Sequence, residues 1–470
     1  MGMFKLIDSR ILDINAEKSG IDMEKLMNYA GGAVADFVIS LKPRNILTMC
    51  GSGNNGGDGY TASILLLRAG MKVSVFPVKE PESSLARKKF EEFKNAGGII
   101  IDDPKLDEYD IIIDAMLGIG IIGIPREPYA SAIQKLNNSK TKIVSVDIPS
   151  GFPYAIAVKP DYTVTMQFIK EGMDESKCGK IIVADVGFPK EVIEMIGPGD
   201  IAAFPVNGKN SHKGDNGILV IVSGSNEYYG APLYVSKSAL RMGPDLVFLF
   251  TPSKVHGFIT PHTQDIMIRK SGIDYIEYTY ELMKSISERA TAVAIGPGIS
   301  KNPVAIESAA KIIEDTLHYG KKVVIDADAL AAISGIDDFK GLAVLTPHRG
   351  EFKNTFLMDP SEENVKKVAL KINATLLVKG PVDIVTDGSV LKRNRGYHHE
   401  SMTRGGTGDL VTGAAAGLLS RGLDTLHSAF LSSYIIGSAG LLAFRKKGYS
   451  YFTSELIDFI PDIINARNSE

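Results

Sequence analysis

Two glycine-dense strings carry most of the chemistry this chain offers. The first, Gly51-Ser52-Gly53-Asn54-Asn55-Gly56-Gly57-Asp58-Gly59, contains the spacing G-x-G-x-x-G, follows an apolar strand pattern and opens a helix pattern. A dinucleotide-binding turn needs that context: glycines admit backbone close to a phosphate, and the helix start presents free N–H groups at the positive end of its dipole. Two amides and a carboxylate within the loop exceed what a phosphate cradle requires and point to a cation or a hydrogen-bonded small molecule. Asp114 and Asp147 each close an apolar run, Ile111–Ile113 and Ile143–Val146. Ligands of open parallel sheets bind outside the carboxyl ends of the strands, so Asn55, Asp58, Asp114 and Asp147 are expected to converge. The second string, Gly405-Gly406-Thr407-Gly408-Asp409, precedes a small-residue helix expected over Leu410–Leu419. Backbone N–H groups at such a start form an anion hole for phosphate oxygens. Asp409, at its mouth, is placed to take or give a proton. Gly296-Pro297-Gly298, Asp326-Ala327-Asp328, the stretch from Thr346 through His348 and Glu351 to Phe352, and Lys379-Gly380 each follow a strand pattern and mark a second crevice.

The elements that must position these residues alternate along the chain. A helical stretch from Asp8 to about Ser40 leads to a strand at Asn45–Cys50, a helix around Thr61–Ala69 and a strand at Met71–Pro77. Further apolar runs lie at Tyr109–Asp114, Thr141–Val146, Asp161–Met166 and Lys180–Val183. Short strands separated by helices predict parallel βαβ units and a doubly wound α/β sheet. Gly197-Pro198-Gly199 through Pro205 and Asn207-Gly208 reads as a linker. A second α/β pattern follows it, with strands expected at Gly217–Val222, Leu246–Phe250, Ala292–Ile295, Lys322–Ile325, Ala343–Leu345 and Thr375–Val378. Two unlike domains, 1–205 and 206–470, are the simplest account.

Composition sets the outer bounds. The 470 residues carry 52 Lys+Arg against 55 Asp+Glu, a net charge of −3 that argues against bulk electrostatic binding to nucleic acid or an anionic membrane. Cys50 and Cys178 are too few for a disulfide framework or a four-cysteine zinc site, and a reducing cytoplasm is the better expectation. No apolar run follows the first residues in the manner of a secretory segment. Ser428–Phe444 is uncharged over seventeen residues, contains four serines and is expected as a buried helix of a soluble domain. His398-His399-Glu400 invites a zinc reading, but adjacent side chains on a loop converge poorly and no further His or Cys pair lies nearby.

The string Gly51–Gly59, Asp114 with its glycine loop, and Asp147-Ile148-Pro149-Ser150-Gly151 together resemble the NAD(P)H-hydrate epimerase domain. The resemblance implies a Rossmann-like doubly wound domain in which Asn54, Asn55, Gly56, Gly57 and Asp58, the loop Gly118-Ile119-Gly120-Ile121-Ile122-Gly123-Ile124, and Asp147 contact a hydrated nicotinamide dinucleotide. It also implies that Asp147 is catalytic and that Asn55, Asp114 and Ser150 hold a potassium ion. An oxygen-rich set of amide, carboxylate and hydroxyl suits such a hard cation. Two loops depart from the family pattern: Ile119, Ile121 and Ile122 stand where a Thr and an Arg are usual, and Phe152-Pro153-Tyr154 replaces a polar, acidic stretch.

The glycine-Asp string, the strand-end motifs, His212-Lys213-Gly214-Asp215 and Gly230-Ala231-Pro232 resemble the ribokinase-like superfamily, and more closely its NAD(P)H-hydrate dehydratase branch. That resemblance implies a ribokinase-like α/β domain in which Ala231, Gly298, His348 and Asp409 contact the hydrate. Lys379, Gly380, Pro381, Val382, Asp383 and Gly408 would hold ADP, and Asp409 would serve as the catalytic acid/base with Mg²⁺ present. Arg241-Met242-Gly243-Pro244-Asp245 departs from the usual Gly-Ala-Gly stretch of that branch. The expected activity is bifunctional: epimerisation of R and S NADHX or NADPHX, then ADP-dependent dehydration of the S epimer. A vitamin or sugar kinase with an accessory nucleotide-binding domain uses the same glycine-Asp parts, and a first domain that only binds a nicotinamide derivative or a protein partner also fits. Oligomeric state stays open, including a homo-oligomer.

Overall fold

Short, fully buried apolar runs pair in parallel to build two separate sheets. The computed structural model describes residues 4–121 and 123–466, in one unit that ends at Ile193 and another that begins at Glu194. The N-terminal unit holds β1 (Asn45–Cys50), β2 (Lys72–Pro77), β3 (Ile99–Ile100), β4 (Ile111–Ala115), β5 (Lys142–Val146), β6 (Tyr162–Met166) and β7 (Lys180–Ala184). Their order is β3-β2-β1-β4-β5-β6-β7, and every pairing is parallel. Chain order reverses at β1/β4, so the crevice of this sheet lies where the Gly51 loop and the loop after Asp114 leave it.

The expected N-terminal helical stretch is two helices, Leu6–Lys18 and Met23–Ser40. Asp22 caps the second through its carboxylate, which accepts from Glu24 N and Lys25 N. The helix expected from Thr61 starts at Asn54. Its glycines lower helix propensity, but contact demands them. A Cβ on Gly51 would lie 1.7 Å from the Met116 carbonyl oxygen, and one on Gly56 would lie 2.1 Å from that of Gly51. Gly51→Ala should therefore destabilise the N-terminal unit by about 3 kcal/mol or more, because backbone rather than a side chain must move. Chemical denaturation checks this, and a loss below about 1 kcal/mol would contradict the close approach.

The C-terminal unit holds β8 (Ile218–Val222), β9 (Leu246–Thr251), β10 (Met267–Lys270), β11 (Ala292–Ile295), β12 (Lys322–Ile325), β13 (Ala343–Leu345), β14 (Thr375–Val378), β15 (Asp383–Thr386) and β16 (Leu391–Asn394). The order is β10-β9-β8-β11-β12-β13-β14-β15-β16, parallel except for the antiparallel β14-β15-β16 edge. One face is covered by the helices Ala231–Arg241, Thr407–Ser420 and Thr425–Lys447. The uncharged Ser428–Phe444 run lies within the last of these. That helix is long and apolar enough to cross a membrane, yet most of it is buried in this core, which accounts for its hydropathy.

The division between units falls after Ile193, before the boundary expected near residue 205. Residues 194–205 are folded into the C-terminal unit rather than forming a linker. Met195 bridges to Arg393, Ile196 N donates to Arg393 O (2.8 Å), and Pro198–Ala203 forms a 3₁₀ turn whose Ile201 is buried in the core. Glycine and proline here shape a turn, and the sequence does not show what Ile196 and Ile201 pack against.

Candidate active sites

In the N-terminal unit, Asp114 is fully buried at the end of β4. Its carboxylate accepts from Ser150 Oγ (2.5 Å), Ser145 Oγ (2.8 Å), Ser150 N (2.9 Å) and Met116 N (3.3 Å). Burial pushes its carboxyl up, against the pull of those donors. Ser150 Oγ also accepts from Leu117 N (2.8 Å), so Asp114 and Ser150 together fix the exit of β4. Gly118 lies against Asn55, 3.3 Å from its Cβ by the position a side chain would take. Asn55 Nδ2 is buried with no partner among the described residues. Asn55, Asp114, Ser150 and Gly118 are thus brought together.

Asp147 leaves β5 with φ +65°, a conformation few non-glycine residues adopt, though Asp tolerates it. Its Oδ1 accepts from Met166 N (3.1 Å) and from the Lys170 ammonium. Lys170 is 1% exposed and also donates to Thr165 Oγ1 (2.8 Å) and Met166 O (2.9 Å). Asp58 is pushed well up by burial, then by the charges of Asp147 and Asp13. Asp13, on the helix Leu6–Lys18, is raised to about 7 by desolvation and by Asp147, with Lys170 opposing. Sequence reading passed over Asp13 and Lys170. Neither sits in a glycine motif, and the one available signal was a lysine just past a strand end.

Of the loop after Asp114, Ile122 lies outside the described residues. Ile119 packs with Phe152, Ile148, Met173 and Cys178, and Gly123 N donates to the Tyr154 hydroxyl (2.9 Å). The two stretches that depart from the family pattern are therefore packed and bonded to each other. Asn54, Gly120 and Ile124 are exposed.

In the C-terminal unit, the helix Thr407–Ser420 starts from Gly406 at φ +89°, with Asp409 in its first turn. Asp409, Gly406, Ala231, Gly298 and three tyrosines, Tyr228, Tyr229 and Tyr234, line a cavity of about 430 Å³. His348 and Glu351 line a neighbouring cavity of about 550 Å³, and Asp328 forms a wall of both. His348 Nδ1 accepts from Gly350 N (3.0 Å) and Glu351 N (3.1 Å), which caps the helix Arg349–Phe356 and leaves Nε2 as the ring's donor. Asp409 is pushed up to about 7, first by burial and then by Asp326, with Lys379 opposing and Glu351 reinforcing.

Lys379 follows β14, and its Nζ donates to Asp326 Oδ1 (2.8 Å), while Asp326 Oδ2 accepts from Thr412 Oγ1 (2.5 Å). A Cβ on Gly408 would lie 3.1 Å from that ammonium, so the cation sits directly beneath the start of this helix. Burial pulls Lys379 down, but Asp326 and Glu351 raise it on balance, so it keeps its charge. Gly380 lies beside Arg349, and Pro381 is exposed with Val382 half-buried. Asp383 is turned inward: its carboxylate accepts from Gly380 N (3.0 Å) and Ser433 Oγ (2.7 Å) and is pushed up by burial. In this position it shapes the Lys379–Val382 turn. In the His398-His399-Glu400 stretch, the His399 ring stacks on Phe444 at 3.6 Å, and Glu400 accepts from the Tyr449 hydroxyl (2.8 Å).

The family model described as NAD(P)H-hydrate dehydratase matches residues 219–462, and that of the YjeF-related protein N-terminus matches residues 23–172. The bifunctional NAD(P)H-hydrate repair enzyme of Archaeoglobus fulgidus is 36% identical over 467 residues, 97% of each chain. Its counterpart in Methanothermobacter thermautotrophicus is 34% identical over 498 residues, covering 98% of this chain and 95% of that one. A ribokinase-like superfamily protein from Enterococcus faecalis has a similar structure, with TM-score 0.51, 21% identity and coverage of 57% of this chain and 94% of that one. Fold and sites define a two-domain α/β enzyme, with a doubly wound parallel domain preceding a ribokinase-like domain whose helix Thr407–Ser420 opens on the glycine-Asp string. The chain belongs to the bifunctional NAD(P)H-hydrate repair enzyme family.

Proposed function

We propose that the N-terminal unit interconverts the R and S epimers of NADHX or NADPHX, and that the C-terminal unit dehydrates the S epimer at the expense of ADP. The observation that carries the reading is Asp409, raised to about 7 at a glycine-headed helix start, in one cavity with Ala231 and Gly298 and beside the Lys379 ammonium. Gly408 N–H and Lys379 would hold phosphate oxygens, with Gly380, Pro381 and Val382 against the rest of the nucleotide. Asp409, as base, takes the proton of the hydrate hydroxyl while the oxygen attacks the terminal phosphorus of ADP, releasing AMP. The phosphorylated oxygen is then a good leaving group, and loss of phosphate with a ring proton restores the dihydronicotinamide. His348 Nε2–H and the tyrosine-lined wall would orient the hydrate. A stereospecific dehydratase rescues only one epimer, which gives the first unit its purpose.

The residues fit the two metal ions this reading calls for. Asn55, Asp114 and Ser150 offer amide, carboxylate and hydroxyl oxygens, a donor set for K⁺, which would fix the substrate loop. All four acceptor positions of Asp114 are occupied, so a cation contacts it only after the Ser150 hydroxyl turns its proton away. Glu351 and Asp409, both raised by burial and by Asp326, form an acidic wall beside the anion hole. Mg²⁺ bound there would offset phosphate charge.

Recovery of NADH from a mixed R/S hydrate preparation tests the proposal, with Mg²⁺ and ADP, ATP or no nucleotide. Complete recovery with ADP is expected. A stall once the S epimer is exhausted would remove the epimerase assignment, and no recovery with either nucleotide would remove the dehydratase.

A further inference from the structure

A loop that receives phosphate must present N–H groups and keep its carbonyl oxygens away. The two are linked, because a trans peptide is planar and its N–H points opposite to the carbonyl of the residue before it. Glycine makes the wrong arrangement cheap, since a peptide between two glycines turns over with little steric cost. Gly405 and Gly406 are such a pair, immediately before the helix Thr407–Ser420. On the dehydratase reading above, this loop receives the phosphates of ADP, so its peptides need to be held in one orientation.

Two hydrogen bonds supply that hold. Arg404 O accepts from Thr407 Oγ1 (3.0 Å), which fixes the peptide that carries the Gly405 N–H. Gly405 O accepts from Thr453 Oγ1 (3.0 Å), which fixes the peptide that carries the Gly406 N–H. Thr453 is buried and follows the helix Thr425–Lys447, so a further contact has to bring it back to the loop. Arg404 makes that contact. Its Nε donates to Ser401 O (3.1 Å), Nη1 to Tyr451 O (2.6 Å) and Nη2 to Tyr449 O. The guanidinium lies over the Tyr451 ring, 4.7 Å from its centre. Tyr451 is itself 1% exposed, and its hydroxyl shares a hydrogen bond with Ser401 Oγ (2.9 Å). Arginine beside a glycine loop is a common phosphate fork, yet here each of its three nitrogens donates to a backbone carbonyl.

We propose that Arg404 and Thr453 are positioning residues for the phosphate loop, and that the segment Tyr449–Thr453 is a strap that holds the Gly405–Gly406 peptide with its N–H toward the nucleotide. Arg404 then acts on the loop through the strap and not on the phosphate. This rests on the dehydratase reading above. It also gives the stretch after the long helix a part in nucleotide binding that the glycine motifs do not suggest.

The test uses the full chain with Mg²⁺ and purified (S)-NADHX, following NADH absorbance while ADP and the hydrate are varied in turn. Thr453→Val removes the hydroxyl and keeps the shape of the side chain. It should raise KM for ADP about tenfold, the worth of one well-placed hydrogen bond, and leave KM for the hydrate within about twofold of wild type. Thr453→Ser, which keeps an Oγ donor, should recover most of that loss. Arg404→Met should raise KM for ADP to a similar extent, and Arg404→Lys should not restore it, since one ammonium does not span three carbonyls. The double variant Arg404→Met/Thr453→Val should be no worse than the poorer single variant, because both act through one strap. An Arg404→Met variant that weakens ADP while Thr453→Val leaves it unaltered would make Arg404 a phosphate ligand and overturn the strap. Effects that multiply in the double variant, a rise in both KM values together, or a loss of Tm with both KM values unaltered would overturn it too. A wild-type chain without ADP-dependent dehydration overturns the dehydratase reading itself.

Discussion

Asp409→Asn is expected to reduce ADP-dependent dehydration of (S)-NADHX by about 10²–10⁴-fold while leaving R/S epimerisation untouched. The variant keeps the shape of the carboxylate but can no longer accept the hydroxyl proton. Epimerisation survives because its residues fold in a different unit, which ends at Ile193. Coupled assays on one preparation, reading NADH absorbance and epimer ratio together, check both halves. Loss of both activities would contradict the separation of sites. As a base, Asp409 works in its ionised form, so the dehydration rate of the wild type should rise with pH through about 7. Stability runs the other way. The folded-state pKa lies above the unfolded value, so the contribution of this group is complete below about 4 and is lost as pH rises through about 7. Asp409→Asn, neutral throughout, should therefore lose less Tm than the wild type between pH 5 and pH 8. The site holds a carboxyl that the fold would rather keep protonated.

The second large effect is expected at Asp147→Ala. Lys170 is buried to 1% exposure and Asp147 to 14%, so removing the carboxylate leaves an ammonium in the core with only Thr165 Oγ1 and Met166 O to accept from it. Breaking a buried pair from one side costs about 3–5 kcal/mol. Hydrogen exchange in β5 and β6 should rise accordingly, and epimerisation should be lost. Asp147→Asn separates the two consequences. Its amide oxygen still accepts from Lys170 and Met166 N, so most of the stability should remain while epimerisation falls. Dehydration of the S epimer should continue in both variants. Epimerisation at the wild-type rate in Asp147→Asn would show that this carboxylate serves the fold and not the reaction.

What the sequence determined by itself was mostly local. Alternating apolar runs and helix patterns predicted two α/β domains, because strand burial on both faces leaves continuous hydrophobic segments such as Ile111–Ile113 and Val323–Ile325. The glycine strings were legible because close backbone approach, as between Gly51 and Met116, excludes any side chain. Family motifs then named Asn55, Asp114, Asp147, Lys379 and Asp409, and the fold brings each to the carboxyl end of a strand or the start of a helix.

Tertiary structure decided the rest. Lys170 belongs to a segment with no motif and meets Asp147 only in the folded molecule, where Thr165 Oγ1 and Met166 O hold its ammonium. Asp383 lies inside the expected nucleotide segment yet turns inward, since Gly380 N and Ser433 Oγ claim its carboxylate. The stretch from Gly197 through Pro205 looks like a linker by composition and joins the core through Ile201, beside Ile196. Backbone demands such as φ and close contact are written into single residues and their neighbours in sequence. Charge state and burial depend on what arrives from elsewhere in the chain, and only the folded molecule brings it there.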